Sequence, residues 1–456
     1  MTSRTLSQQH AGNQTKEIFR MNQPFRSVSK ICCLGIALFC FNAQSQTPYL
    51  MTSPVGYGAE ATGGGAPTSS NTVTVTSSAE LASAISGSKS VILVSGTITT
   101  GRLEWTASNK SLIGLPGAKL QNLNQTASGS GILYLKSGSN VIIRNITFVG
   151  PGAYDADGWD LLTNKGVSKL WVDHCEFQDG MDGNFDNTVK ADNITVSWCK
   201  FTYLKPPKAG GSGGSDDHRY TNLVGGSDTD TPSDGKYSIT WLNCWWADGC
   251  VDRMVRARNA EIHMLNCYWS SRDASKVIHL SPGTRGTYVH VENGVFTCTG
   301  EIVDFEKSGN NNVKFVECTG GVGNTGTVPA PTYSWIRTPL ASVVSMVSST
   351  TCGAGATLNV TAEGEFSSSC SATGTVANDV ARKKIEPLIV DNNYTIRFPS
   401  ASSREAILTI YSANGYRICS FSKAANVEPN VSWLPAGVYV AKISNSAMST
   451  VKFIRK

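Results

Sequence analysis

Two short stretches gather carboxylates: Asp157 and Asp160 in DADGWD, then Asp179, Asp182 and Asp186 in QDGMDGNFD. Hard oxygen donors brought together from adjacent turns of chain suit calcium, which accepts about six to eight oxygens in irregular geometry. Asp beside Gly also forms turns, and spacing alone leaves both readings open. A second candidate is RMVRAR at 253–258, with three arginines in six residues. Such density repels unless the side chains are solvated or face anions. Arg253 and Arg258 differ in strand parity, so both reach one cleft only if the chain bends between them. The stretch WVDH ends at His174, just before Cys175 on an apolar strand, and reads as a satisfied internal histidine. DDHR at 216–219 sits in a long polar loop. With no C-x-x-C or His-x-His spacing, a zinc site is not expected.

The elements that must position these groups form a repeat. Its copies are VIIRNITF (141–148), LWVDHCEF (170–177), ITVSWCKF (194–201), ITWLNCWW (239–246), IHMLNCYW (262–269) and VHVENGVF (289–296), and their closing aromatics lie 29, 24, 45, 23 and 27 residues apart. Alternation with a period of two marks strands, and a strand-bearing repeat of this length marks stacked coils. No intervening stretch has a helical pattern, which argues against an α/β barrel. The expected fold is all-β: a right-handed parallel β-helix whose coils bury a continuous core only by stacking. Like residues then align, as with Cys175, Cys199, Cys244 and Cys267. The one 45-residue gap holds a Gly- and Pro-rich insertion, and insertions in solenoids tend to emerge on one face.

The composition agrees, with 44 Gly and only 16% charged residues among 456. A formal net charge of +5 is too small to identify a polyanionic partner, and no nucleic acid is expected. At the N-terminus, Arg26 and Lys30 precede an apolar run (31–41) and a small-residue cleavage site at Ala43 and Ser45. Residues 1–46 are therefore expected to be a signal peptide with an extension, Met21 being the expected start. The run is too short to span a membrane. Three of 13 Cys lie in that segment; of the rest, Cys352 and Cys370 form the expected local disulfide. Domains are expected at 47–358 (β-helix), 359–392 (linker) and 393–456, a small C-terminal β-sandwich module. The last segment, with IYSANG, LPAGVYVAKI and a terminal basic strand, resembles the C-terminal sorting domain of type IX secretion in Bacteroidetes.

The larger domain resembles the pectate lyase family, the first polysaccharide lyase family. WVDH matches its vWiDH motif, DGNFD its D-G-x-x-D, and RMVRAR its R-x-P-x-x-R. GYGAEATGGG (56–65), VILVSGTI (91–98) and SLIGLPGA (111–118) resemble its opening coils in the same order, and the match runs from about residue 54 to 358. The resemblance implies Asp160, Asp182 and Asp186 as calcium ligands. Gly158 stands where a further aspartate is expected, and Asp157 is the substitute. It also implies Arg253 as the base that removes the C5 proton, Arg258 as a binder of substrate carboxylate, and a loop-lysine position at Arg219 or Tyr220, with Arg219 the better match. Val255 replaces the motif's proline, so the bend aligning the two arginines must arise elsewhere.

The activity so implied is calcium-dependent β-elimination on polygalacturonate by a secreted monomer, with an acidic polysaccharide as substrate and the type IX machinery as export partner. Calcium and fixed arginines would stabilise charge growing on the uronate carboxylate, and arginine grips a carboxylate with two hydrogen bonds. An arginine base, with an unperturbed pKa above about 12, implies an alkaline optimum. Retained calcium carboxylates favour de-esterified substrate. A polygalacturonase-type hydrolase needs an acid and a base carboxylate, and its N-T-D, H-G and R-I-K signatures are absent. A non-catalytic pectin-binding β-helix is the other alternative.

Overall fold

The computed structural model describes residues 49–320, 322–370, 389–390, 393–397, 407–412, 417–422, 428–444 and 450–455. The expected signal segment lies outside them, as does most of the expected linker. The chain divides into two units, Met1–Thr373 and Gly374–Lys456.

The first unit is the expected parallel β-helix. One coil contains strands Val167–Asp173, Glu176–Gln178 and Phe185–Asn187, and the next begins with Asp192–Ser197. Each strand pairs in parallel with its counterparts in the coils before and after. The polar residue near the end of each sequence repeat is the corner between the first two strands. Asn145, His174, Trp198, Asn243, Asn266 and Asn293 all have φ between +46° and +58°. Asn tolerates this left-handed conformation better than most residues, which explains its recurrence there.

The closing aromatics are directly registered. Phe148, Phe177, Phe201, Trp246, Trp269 and Phe296 stack with successive ring centroids 4.9, 5.2, 5.6, 5.0 and 4.2 Å apart. Beside them, the thiols of Cys175, Cys199, Cys244 and Cys267 point to main-chain carbonyls of the preceding coil at 3.4–3.7 Å. Fully buried rings contribute both area and stacking, so this column forms the spine of the core.

The first strand of each coil is buried on both faces, although the sequence alternates. The outer face is covered by residues 49–61 and helix Leu340–Val347, whose Val343, Met346 and Val347 pack with Trp171, Trp198, Leu242 and Leu265. WVDH serves this packing. Asp173 is fully buried, paired with Arg144 at 2.7 Å and His174 Nδ1 at 2.9 Å, and it accepts the Ser197 hydroxyl. Arg144 also donates to the Met51 carbonyl at 3.0 Å, fastening the N-terminal arm. Burial alone would raise the Asp173 pKa, but the His174 and Arg144 charges hold it below the ordinary carboxylate value.

The expected Cys352–Cys370 disulfide is present, with Cα atoms 5.7 Å apart. It brackets a hairpin, Leu358–Val360 with Phe366–Ser368, whose Leu358 exchanges two main-chain hydrogen bonds with the Asn145 amide. Residues 358–370 thus pack on the β-helix, where the sequence places the start of a linker. In the second unit, Ile407–Ser412, Arg417–Ser422, Gly437–Ser444 and Thr450–Arg455 make a four-stranded antiparallel sheet. Ile389–Val390 and Ile396–Arg397 form a separate short pair, and Leu408, Ile410, Ala441 and Phe453 contribute to a small core.

Candidate active site

The site lies over the third strand of successive coils. Leu162–Asn164, Phe185–Asn187, Leu223–Val224, Arg256–Ala257 and Lys276–Leu280 pair in parallel, in that order. Their register aligns Thr163, Asp186, Leu223, Arg256 and His279 in one column. A cleft of about 1000 Å³ runs over the first three, which form its floor. One wall comes from the turns before these strands and carries Asp157, Asp160 and Asp182. The other comes from the turns after them and carries Lys165, Thr188 and Asp230.

The sequence-predicted acids meet at this cleft. Asp160 is buried; its Oδ2 accepts the Thr163 hydroxyl at 2.8 Å, and its Oδ1 has no hydrogen-bond partner. Asp186 accepts the Leu223 amide at 2.9 Å. Gly183 lies between them: a methyl group there would stand 2.6 Å from Asp160 Oδ1 and 3.3 Å from Asp186 Oδ1. Burial raises the Asp160 pKa well above the ordinary value, and the charges of Asp186 and Asp182 add to the rise. Burial likewise pushes Asp186 up to about 7, with Arg253 opposing the rise and Asp182 reinforcing it. Buried carboxylates that lack a compensating cation behave this way. Asp157, at φ +55°, joins the wall nearby.

Gly158 has a packing reason. A Cβ there would lie 2.9 Å from Ser130 Oγ and 3.0 Å from Met181 Sδ, so an aspartate at this position would need its neighbours to move. Among the described residues, no three His, Cys, Asp or Glu side chains close around a metal-sized point by themselves. The orphaned Asp160 Oδ1 and the raised Asp186 nevertheless suit a hard cation whose remaining oxygens come from water or a bound anion.

Arg253 acts on the same acids, since its charge opposes the pKa rise of both Asp160 and Asp186. Its guanidinium lies 4.6 Å from the centre of the Tyr220 ring and makes no ion pair among the described residues. The bend missing with the proline is found here: Arg253 has φ +59°, and Met254 and Val255 are both fully buried. Two consecutive inward side chains reset the strand parity, so Arg253 falls on the same side as Arg256 and Arg258.

Two other arginines are engaged elsewhere. Arg258 donates to the Gly225 carbonyl at 2.9 Å and pairs with Glu306 at 3.4 Å and Asp228 at 3.5 Å. Arg219 clasps Asp217 through two bonds of 2.7 and 2.8 Å, with Asp273 3.6 Å away, and does not line the cleft.

Two side chains of the insertion stand here, His218, to which the sequence reading gave no role, and Tyr220, its second choice for the loop-lysine position. His218 Nε2 lies 2.9 Å from Asp182 Oδ1, and its Nδ1 lies 3.4 Å from Asp155. Tyr220 packs against the His218 ring, at 4.1 Å between centroids, and lies beneath Arg253. The available signal was DDHRY inside the only long gap of the repeat.

A family model described as pectate lyase matches residues 36–381. Pectate trisaccharide-lyases from Thermotoga sp. (strain RQ2) and Thermotoga maritima are each 33% identical over 192 residues, covering 40% of this chain. The matched part spans 46% of those relatives, less than half their length. Pectate lyase B of Colletotrichum gloeosporioides is 33% identical over 269 residues, covering 56% of this chain and 72% of the relative. Among solved structures, a pectate lyase bound to a hexasaccharide superposes with TM-score 0.52 at 20% identity, covering 66% of this chain and 97% of that one. A thermostable pectate lyase does so with TM-score 0.51 at 19% identity, covering 67% and 98%. At such identities these two likenesses speak to the right-handed β-helix alone.

Proposed function

Because the chain belongs to the pectate lyase family, we propose that it cleaves α-1,4-linked polygalacturonate by calcium-dependent β-elimination, with Arg253 taking the C5 proton. The observation that carries this reading is a buried group of carboxylates at one cleft, within electrostatic reach of an arginine that forms no ion pair among the described residues. Asp160, Asp182 and Asp186 would hold the calcium, with Asp157 at the edge. When bound, that ion supplies positive charge against which a uronate carboxylate can lean as negative charge develops on it.

The chain's own residues do the rest. Tyr220 supports the Arg253 guanidinium from below, and His218 braces Asp182 from the insertion. As the C5 proton leaves, its bonding pair becomes the C4–C5 double bond and the C4–O bond breaks. The product chain carries a 4,5-unsaturated uronide, and the leaving oxygen takes a proton from solvent. Arg258 would grip a substrate carboxylate only by loosening its bonds to Glu306 and Asp228, which makes it a weaker anchor than its position in the motif suggests. The same reasoning applies to Arg219 and its Asp217 clasp. The reading includes export as a secreted monomer, with the C-terminal module acting as the sorting domain for type IX secretion.

The test is ultraviolet absorbance of the unsaturated product from polygalacturonate. Turnover should vanish with chelator and return with calcium, and Arg253→Ala should lower it by about 10²- to 10⁴-fold. Arg253→Lys keeps the charge and should fail nearly as badly. Chain shortening without new absorbance would identify a hydrolase, and binding without shortening a non-catalytic pectin binder.

A further inference from the structure

The N-terminal end of the cleft carries a cation that neither the motifs nor the catalytic reading uses. Lys165 follows strand Leu162–Asn164, lines the cleft and is half-buried. Its ammonium has no ion pair or hydrogen bond among the described residues, and its neighbours are the Trp159 and Tyr134 rings, at 5.6 and 5.9 Å. Other long cations around this sheet are committed: Arg258 to Glu306 and Asp228, Arg256 to Glu306, Lys307 to Asp228 and Lys276 to Asp304. Asp230, which also lines the cleft, accepts the amides of Val189 and Gly226 and makes no ion pair with Lys165. A half-buried ammonium held over aromatic rings at the edge of an open cleft is poised for an anion.

The coil register says where that anion would sit. Asn164 pairs with Asn187, Asn187 with Val224, and Val224 with Ala257. The residue after each strand therefore forms a second column: Lys165, Thr188, Gly225 and Arg258. Lys165 stands at its N-terminal end, one coil before the Asp186 coil and three coils before Arg258. Coils step by about 4.8 Å, so Lys165 and Arg258 are roughly 14 Å apart along the solenoid. A polyuronate lying along this axis advances one sugar in a distance comparable with one coil. A carboxylate over the acids would need a metal, whereas one at the N-terminal end of the cleft meets Lys165.

We propose that Lys165 binds the carboxylate of a galacturonate outside the cleavage point, toward the N-terminal coils, and so makes affinity depend on substrate length. The inference rests on the polygalacturonate reading above and adds a positioning residue to it. Two measurements on the full chain separate the ideas: steady-state turnover, and calorimetric binding of saturated tri- and hexagalacturonate with calcium, made in the Arg253→Ala background so that the oligomers are not consumed. Lys165→Ala should raise KM for polygalacturonate and weaken hexamer binding about tenfold, as expected for losing a hydrogen bond to a charged group. Its kcat should stay within about twofold, and Lys165→Arg should restore most of the loss. The trimer can bind in registers shifted toward Arg258 that leave the Lys165 position empty, so it should lose less affinity than the hexamer.

A parent enzyme that eliminates normally while Lys165→Ala leaves KM and hexamer binding unchanged overturns the assignment and leaves the lyase reading intact. So does an equal loss for trimer and hexamer, or a loss confined to kcat. If the hexamer binds in a Lys165-dependent way yet the parent forms no unsaturated product, the subsite stands and the lyase reading falls. If neither oligomer binds, both fall.

Discussion

Asp173 and Asp186 lie 13 residues apart in sequence, both in buried positions of one coil, and their environments are opposite. Asp173 faces Arg144, His174 and Ser197, and its pKa is depressed. Asp186 faces other carboxylates, with Arg253 as its opposing charge, and its pKa is raised to about 7. Burial acts in the same direction on both, so the partners decide the sign. A buried acid with its counter-charge built in is a fastener, here holding the N-terminal arm. One left short of counter-charge has the chemistry that suits a hard cation. The satisfied internal histidine read from WVDH is found at His174, fully buried against Asp173.

That contrast can be broken most decisively at Asp173. Asp173→Asn leaves the Arg144 charge buried and unpaired, and the cost should be about 3–5 kcal/mol of unfolding free energy. Urea denaturation checks this, and a loss below about 1 kcal/mol would show that the pair does not fasten the arm. Next comes Gly183→Ala, whose new methyl group would press on Asp160 Oδ1. Displacement of a carboxylate by about 1 Å should lower turnover about a hundredfold, with a higher calcium concentration needed for half-activation and little change in melting temperature. Asp186→Asn should do the reverse of Asp173→Asn: the metal-free protein should gain about 1 kcal/mol by losing a repelled buried charge, while calcium-dependent stabilisation disappears.

The smallest effect is a slope with pH. The folded-state pKa of Asp186 lies above its ordinary value of 3.8. Its contribution to stability is therefore fully present below about pH 4 and is lost as pH rises through about 7. Relative to Asp186→Asn, the metal-free parent should lose melting temperature across that interval, and saturating calcium should flatten the difference. A parent that gained stability over the same interval would contradict the raised pKa.

Much of the β-helix was legible because its repeat is chemical as well as periodic. The closing aromatics stack as read, and the Asn residues mark corners that need a left-handed backbone. The double burial of the first strands was not legible, because alternation cannot announce a covering arm and helix contributed from distant sequence. In the site, the acid and arginine motifs gave the residues, but not the side on which each faces. Parity misleads at RMVRAR, since Arg253 is left-handed and Met254 and Val255 both turn inward. Lys165 and His218 belong to no local pattern. Only the register between coils puts Lys165 in a column with Arg258, and only the folded insertion brings His218 to Asp182.

Phe201 and Trp246 are separated by 45 residues, yet they stack at 5.6 Å and pair in register as though joined by a short turn. The intervening chain departs from the coil before strand Leu223–Val224 and again after it, delivering His218 and Tyr220 to one side and Asp230 to the other. The aromatic column therefore keeps its register across excursions of this length, and the outline of the cleft is set by loops that the stacked coils carry without interrupting their own pairing.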